Sequence, residues 1–160
     1  MICQKQYGTR TGEMPPGSMS WNQDYQMQLQ GFNRNTCPFV IVIRYSFPSG
    51  YLPNGTRYSG TSRTSYLPGT PEGIECLGLL ILCFQRKLTF LVGTSITTGR
   101  SNCVVWAGIH HKTSPSGGTS SFGWPDETYF ARVKGELGDR GVSPAEIAKP
   151  VPLQGQLQSQ

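Results

Sequence analysis

The chain has 160 residues, the usual length of one domain and enough to bury a core without disulfide or metal staples. Its 20 glycines and 12 prolines indicate many loops, while clustered apolar runs exclude a disordered chain. The net charge of +5 favours acidic partners such as phosphates or nucleic acid. A slightly basic, solvated surface is the simpler interpretation, because no dense run of Lys and Arg exists.

The first half of the chain predicts one strong strand among turns. Residues 1–20 are rich in turn-forming residues and are expected to lie extended as a lead-in. Residues 38–47 are β-branched and aromatic, which predicts a strand buried on both faces. Residues 48–70 contain the turn signals PSG, PNG and PGT and therefore predict loops.

A central helix follows. Thr70 and Pro71 have the residue types of an N-cap and a first helical position, and the helix should run to about Lys87. It is apolar on nearly every side from Cys76 to Phe84, so we expect it in the centre of the fold. Gly78 lowers helix propensity, and it could permit the close approach of a neighbouring strand.

The second half of the chain predicts two strands, at 88–92 and 102–110, and an amphipathic helix opened by Asp126 as N-cap. The core face of this helix is expected to contain Phe130, Val133 and Leu137. Residues 143–160 are low in apolar content and predict a disordered tail. The predicted fold is a single α+β domain, in which a mixed or antiparallel sheet packs with a central apolar helix and a C-terminal amphipathic helix.

The cysteines argue against zinc and disulfides. None of the five forms a C-x-x-C pair, so no zinc knuckle is complete, and the histidines lack a third ligand at suitable spacing. Cys76 and Cys83 lie two turns apart on the predicted helix, roughly 10 Å, which is too far for a disulfide. We therefore expect reduced, buried thiols and no metal site in an intracellular protein. The N-terminus resembles no signal peptide, and no apolar run is long enough for a membrane span.

Three features could form a site for a polar, phosphate-bearing ligand. The loop Gly93–Arg100 offers backbone amides, hydroxyls and a guanidinium, although an ordinary hairpin with Ser/Thr turns would look the same. His110 and His111 would point to opposite faces of a strand, so that one faces a pocket, unless it serves as a structural histidine bonded to backbone. Glu136 follows Tyr129 by seven residues on the predicted helix and should lean toward the buried side, which suits a base or a hydroxyl acceptor.

Two simpler alternatives stay open. Glu136 could instead form a salt bridge with Arg132 or Arg140 at i±4 spacing. A mixed group of arginines and aromatic residues could stack on a base and neutralise phosphate, or its aromatic members could simply pack in the core or its rim. This group consists of Arg57, Tyr58, Arg63, Tyr66 and Trp124.

Several motifs in a fixed order resemble the Deltex C-terminal domain. They are YGTRTGEMPPGSM (7–19), VIVIRYSFPSG (40–50), RYSGTSRTSYLP (57–68), PEG (71–73), LTFLVGTSITTGR (88–100), VVW (104–106), IHHKT (109–113) and FGWPDETYFARVKGELGDRGV (122–142). The resemblance covers roughly residues 5–142, and among the members of the family it is strongest to the Deltex 3 type. It implies a lead-in over 1–20, the Deltex-like domain over 21–142 and a tail over 143–160.

The resemblance implies a part of a RING-type E3 ubiquitin ligase, a transferase family with members tied to Notch signalling and DNA-damage responses. Its C-terminal domain binds ADP-ribose and NAD, in several members also single-stranded nucleic acid, and presents a ribose hydroxyl to the ubiquitin thioester. Only Met1, Ile2 and Cys3 resemble the end of a RING, so zinc and E2~ubiquitin are expected only through a RING that this chain lacks. The expected location is the cytoplasm or nucleus, without a membrane partner.

By the same resemblance, His110 and Glu136 would be the catalytic residues. The expected ligand-binding residues are Ser95, Thr97, Thr98, Gly99, Arg63, His110, Phe122 and Trp124. Phe122 departs from the family, which usually has a polar His or Tyr there, and a phenyl ring cannot donate a hydrogen bond. Ala107 and Gly108 also replace the family's polar pair before the histidines, and the loop at 50–55 is shortened.

The sequence thus leaves a choice of functions. The first is a substrate-recognition domain that binds ADP-ribose-like ligands, and the second is an enzyme part that acts only when joined to a RING. The third is a non-catalytic protein-interaction domain whose nucleotide pocket has decayed.

Overall fold

The computed structural model describes residues 11–93 and 101–159. The helices and strands in this part of the chain are β1 (Gly17–Asp24), β2 (Val40–Phe47), β3 (Gly50–Tyr51), β4 (Arg57–Tyr58), β5 (Thr61–Pro68), α1 (Pro71–Gln85), β6 (Phe90–Gly93), β7 (Cys103–Trp106), α2 (Tyr129–Gly138) and β8 (Gly155–Ser159). Antiparallel sheets with two helices confirm the α+β prediction. Within the described ranges, neither helix is long and apolar enough to cross a bilayer.

The main sheet has four antiparallel strands in the order β5-β2-β1-β8. Strand β1 shows the alternation of a sheet with one face in the core, because Met19 and Trp21 are buried while the alternate residues Ser18 and Ser20 are partly exposed. The pairs β3–β4 and β6–β7 form two small hairpin sheets.

Strand β2 confirms the predicted strand at 38–47, and its burial changes along its length. Residues 40–43 are all buried, as expected for a strand covered on both faces, whereas Arg44 and Ser46 are exposed. The expectation of burial on both faces therefore holds for the first half of the strand only.

Helix α1 lies in the core, as predicted. The Thr70 hydroxyl accepts a hydrogen bond from the Gly73 amide at 3.2 Å, which confirms Thr70 as the N-cap. A Cβ on Gly78 would lie 2.9 Å from Val151 Cγ2, so the close approach at this glycine is made by the C-terminal segment and not by a strand. Cys76 and Cys83 are fully buried free thiols, and burial raises their pKa values to about 12 and about 11.

Helix α2 begins later than predicted. Its N-cap is Thr128, and Asp126 precedes the helix, so the prediction of Asp126 as N-cap is wrong. The Asp126 carboxylate instead accepts hydrogen bonds from the Thr128 amide at 3.2 Å and from the Thr128 hydroxyl at 3.3 Å. Val133 and Leu137 are fully buried, as predicted for the core face of this helix, and Phe130 packs against the core while partly exposed.

Two segments predicted as loops or lead-in form strands. Strand β5 lies within residues 48–70, and its burial pattern is that of a mainly polar strand whose Ser65 is fully buried. Strand β1 begins inside the expected lead-in. Both strands are poor in β-branched apolar residues and take their stability from pairing with β2, which residue type alone does not reveal. The strand predicted at 102–110 ends at Trp106.

The C-terminal segment, residues 143–159, is ordered in the structure, so the expectation of a disordered tail is wrong. Residues 144–146 form a 3₁₀ turn, and β8 pairs with β1 in register from Gly17↔Ser159 to Trp21↔Gly155. The Trp21 indole N–H donates to the Pro152 carbonyl at 2.9 Å, and Ile147 is only 8% exposed. The segment is therefore ordered by backbone pairing and by a few apolar contacts, although its composition is polar.

Candidate functional site

His110 lies in the segment 107–112, between β7 and the loop that precedes α2. The backbone N–H of His110 donates to Glu136 Oε1 at 2.9 Å, and its ring Nδ1 lies 2.5 Å from Glu136 Oε2. A carboxylate only accepts hydrogen bonds, so Nδ1 carries the proton in this contact and Nε2 is then the acceptor nitrogen of the neutral ring. The His110 side chain is 64% exposed and the Glu136 side chain 23%, which leaves the imidazole open to a ligand.

The alternative partners of Glu136 are engaged elsewhere. The Arg132 guanidinium pairs with Asp126. The Arg140 guanidinium donates to the Glu136 backbone carbonyl at 2.8 Å, and through its other nitrogen to the Ala107 carbonyl at 3.1 Å. Glu136 is thus an acceptor for His110, not an i±4 salt-bridge partner.

Tyr129 supplies a second contact to His110, one that sequence reasoning did not identify. Its hydroxyl donates to the His110 carbonyl at 2.7 Å. The spacing of seven residues between Tyr129 and Glu136, which puts both on one helix face, was the available signal. Both backbone polar groups of His110 are therefore held by side chains of α2.

His111 faces the interior. Its Nδ1–H donates to the Ile109 carbonyl at 2.9 Å, and its Nε2 accepts from the Tyr45 hydroxyl at 2.8 Å. The ring stacks on Trp106 with centroids 4.3 Å apart. Burial lowers the pKa of His111 to about 4, so the ring is neutral near pH 7. Of the two histidines, His111 is structural and His110 faces outward, although neither is in a strand.

A buried ion pair ties the histidine segment to the start of α2. Lys112 Nζ lies 2.5 Å from Asp126 Oδ2, and the two side chains are 6% and 3% exposed. Arg132 pairs with the same carboxylate oxygen. Burial opposes the charge on Asp126, but hydrogen bonds from Lys112 and Thr128 outweigh it and hold the pKa below its usual value. The carboxylate is thus ionised, and it anchors the segment one residue after the histidines.

Comparison with known proteins places the sequence in a family. The family model "Deltex C-terminal domain" matches residues 11–142. The chain belongs to the Deltex C-terminal domain family. It is 43% identical to the human and mouse proteins named probable E3 ubiquitin-protein ligase DTX3, over 89% of this chain and 42% of theirs. It is 39% identical to human E3 ubiquitin-protein ligase DTX1, over 89% of this chain and 24% of that protein. The chain thus spans less than half of the length of these relatives.

Arg140 lies against the residues just before the histidines. Gly108 has φ +90°, and a Cβ there would lie 2.4 Å from Arg140 Nη2. The Arg140 guanidinium therefore occupies the space that a side chain at position 108 would fill. Arg140 also donates to the Ala107 carbonyl, so it helps to hold the backbone of this segment.

Phe122 is the expected ligand-binding residue with the largest exposed aromatic surface. It is 66% exposed and has φ +56°, a left-handed conformation that is uncommon for a bulky residue. Its carbonyl accepts from the Thr113 amide at 2.9 Å, so the Phe122 loop runs beside the residues that follow the histidines. The exposed phenyl ring offers a flat surface for stacking and no polar atom.

The other expected ligand-binding residues differ in their surroundings. Trp124 is 1% exposed and donates to the Tyr66 carbonyl at 3.0 Å, which agrees with the core-packing alternative. Arg63 is exposed on β5 and pairs in register with Tyr45, so both side chains share a sheet face. Tyr58 is buried and Arg57 is exposed on β4. The expected residues Ser95, Thr97, Thr98 and Gly99 lie outside the described residues.

Two apolar cavities lie elsewhere in the domain. One of about 320 Å³ lies between α1, Trp21 and the C-terminal segment, and another of about 440 Å³ lies between the start of α1 and residues 147–153. Neither is lined by His110 or Glu136. The candidate site therefore rests on the chemistry of an exposed pair and not on an enclosed cavity among the described residues.

Proposed function

We propose that this Deltex domain is the substrate-recognition part of a RING-type E3 ubiquitin ligase, and that it binds ADP-ribose- or NAD-like ligands and presents them for ubiquitin transfer. The observation that supports this proposal is the contact of the exposed His110 imidazole with Glu136. Family membership and the names of the relatives support the ligase context.

The chemistry of the pair suits a ribose hydroxyl. With Nδ1–H bonded to Glu136, the outward Nε2 of His110 can accept a hydrogen bond from a hydroxyl group. In the proposed transfer, the hydroxyl proton moves to Nε2 as the ribose oxygen attacks the thioester carbonyl of ubiquitin and the E2 thiolate leaves. The adjacent carboxylate stabilises the imidazolium that forms, in the manner of other histidine–carboxylate pairs.

The remaining groups would bind rather than react. The exposed ring of Phe122 is suited to stacking on a base or nicotinamide, and Arg63 could neutralise a phosphate. Gly93 pairs with Cys103 in the β6–β7 hairpin, and residues 94–100 belong to the chain between these two partners. The hydroxyls and amides of residues 94–100 are the proposed contacts to ribose and phosphate oxygens. In members that bind single-stranded nucleic acid ends, the same groups could take a terminal ribose.

Calorimetric titration of ADP-ribose and NAD into the chain tests binding. We expect saturable heat at or below millimolar ligand, at least tenfold weaker binding by His110→Ala, and weaker binding by Glu136→Gln. Glu127→Gln is the matched control, because Glu127 is an exposed carboxylate just before α2, the helix that carries Glu136. No heat at millimolar ligand would refute binding.

Ubiquitin transfer is tested in the full-length protein with its RING, E2, ubiquitin and ADP-ribose. We expect Glu136→Ala to reduce formation of ubiquitin–ADP-ribose at least tenfold while E2 discharge to free lysine continues. Unchanged product would exclude Glu136 from the transfer step. Zinc and E2 binding are assigned to the RING of the full-length protein in this proposal.

A second candidate is a non-catalytic protein-interaction domain with a decayed nucleotide pocket. Phe122, which cannot donate a hydrogen bond, and the lack of polar side chains at Ala107 and Gly108 favour it. It predicts that a His110→Ala/Glu136→Ala variant keeps partner binding, and that neither this variant nor the unaltered domain binds nucleotide.

A further inference from the structure

We infer that Tyr129 is a positioning residue for the His110–Glu136 pair, and that its hydroxyl sets the direction of the imidazole by fixing the His110 carbonyl. The consequence for ligand affinity rests on the proposed function. The positional claim itself concerns only atoms within this domain and can be tested without a ligand.

Helix α2 makes two contacts to the backbone of a single residue, His110. Tyr129 donates to the His110 carbonyl at 2.7 Å, and Glu136 accepts from the His110 amide at 2.9 Å. These groups lie in the peptide units on either side of the His110 Cα. With both units held, the direction of the Cα–Cβ bond is determined, and the ring needs only its own side-chain torsions to reach Glu136.

The spacing of the two contacts comes from the helix. Tyr129 and Glu136 are seven residues apart, about two turns and roughly 10 Å along the axis, so they face the same side of α2. Their side chains converge on a single residue because Tyr129 reaches with a long ring and Glu136 with a short carboxylate. A shift of His110 by about 1 Å would lengthen at least one of these bonds beyond good geometry.

The Tyr129 ring is itself rigidly held. It is 1% exposed, packs edge-on against Trp124 with centroids 5.5 Å apart, and lies 5.3 Å from the Lys112 ammonium. Burial raises the pKa of the Tyr129 hydroxyl well above its usual value, so the group keeps the proton that it donates. The hydroxyl is therefore a fixed donor rather than a mobile one.

Other contacts hold the histidine segment to α2 and to the residues just before it without fixing His110. The Lys112–Asp126 pair acts at position 112, and Arg140 acts on the Ala107 carbonyl. Removal of the Tyr129 hydroxyl would therefore leave the segment docked and release only the His110 carbonyl. The effect of the hydroxyl on the site is for this reason separable from its effect on folding.

The experiment compares Tyr129→Phe with Tyr45→Phe. Each substitution removes one buried hydroxyl that donates to the histidine segment, from Tyr129 to the His110 carbonyl or from Tyr45 to the His111 ring. We expect comparable losses of stability in urea unfolding. The amide of His110 should exchange with solvent about 3- to 10-fold faster in Tyr129→Phe, and its ring ¹⁵N signals should shift. Tyr45→Phe should leave both His110 readouts as in the unaltered domain.

Ligand affinity is the second readout. If the domain binds ADP-ribose, Tyr129→Phe should weaken binding about 3- to 10-fold and Tyr45→Phe less than twofold. Unchanged exchange and ring signals of His110 in Tyr129→Phe would overturn the inference, and so would equal effects of the two variants on His110. If the unaltered domain does not bind, the proposed function fails, while the two His110 readouts still decide the role of Tyr129.

Discussion

Substitution of Ile147 tests whether the C-terminal segment is part of the folded domain. This residue follows the 3₁₀ turn at 144–146 and is 8% exposed. Its Cδ1 lies 3.0 Å from where a Cβ on Gly78 would be, so the side chain is seated directly on α1. We predict that Ile147→Ala lowers the free energy of unfolding measurably, because it removes apolar atoms from this contact.

The magnitude follows from burial and from the space around the side chain. Replacing a buried Ile by Ala costs about 2–5 kcal/mol, and the value depends on how far the site can collapse. Ile147 lines both the cavity of about 320 Å³ and that of about 440 Å³, so it is less closely packed than a central core residue. We therefore expect about 2 kcal/mol, which corresponds to a fall in Tm of roughly 4–8 °C for a domain of this size.

Urea unfolding followed by tryptophan fluorescence measures this effect, since Trp21 bonds to Pro152 in the same segment. Gln156→Ala is the control, because Gln156 is exposed on β8 and its loss should change the free energy of unfolding by less than about 0.5 kcal/mol. Deletion of residues 143–160 should destabilise at least as much as Ile147→Ala. If Ile147→Ala matched the control, the segment would not be docked and the reasoning would be refuted.

Three further predictions follow from buried groups. The folded pKa of His111 is about 4, below the usual 6.5, so its stabilising contribution is present above pH 6.5 and is lost as pH falls toward 4. Between pH 7 and pH 4, the free energy of unfolding of the unaltered domain should therefore fall by up to about 3 kcal/mol more than that of His111→Gln. Lys112→Met should cost about 3 kcal/mol in urea unfolding because Asp126 loses a buried partner, whereas Lys134→Met, at a surface pair, should cost less than about 1 kcal/mol. Cys76 should stay unreactive to a thiol reagent at pH 8 until urea unfolds the domain, and fast reaction in the native state would contradict its burial.

The sequence predicts the apolar elements of the fold well. Strand β2 and helix α1 were both found from runs of apolar residues, and Thr70 was found because an N-cap is a local feature. Strand β5 was missed because its stability comes from pairing with β2, and β8 was missed because its stability comes from pairing with β1. Pairing partners distant in sequence leave no local pattern.

Within the candidate site too, local features can be predicted from the sequence and distant partners cannot. The inward lean of Glu136 follows from its position on the helix, but its partner could not be chosen from sequence, because Arg132 and Arg140 have equally suitable spacing. The structure resolves this: Arg132 pairs with Asp126, six residues before it, and Arg140 reaches the distant Ala107, which leaves Glu136 to His110. The partner of Glu136 is therefore determined by where residues 107–110 pass α2.

Under the proposed function, binding and catalysis would make different demands on this site. A stacking surface at Phe122 and an acceptor nitrogen on His110 would contribute to nucleotide binding without any proton transfer. Catalysis would additionally require that His110 stay aligned with Glu136 while a proton moves, and this is the alignment assigned to Tyr129 above. If the proposed function is correct, a Phe122→His substitution, which places a polar ring where the family resemblance implies one, should raise ubiquitin transfer by the full-length protein more than it raises ADP-ribose affinity. An equal gain in both would mean that Phe122 limits binding alone.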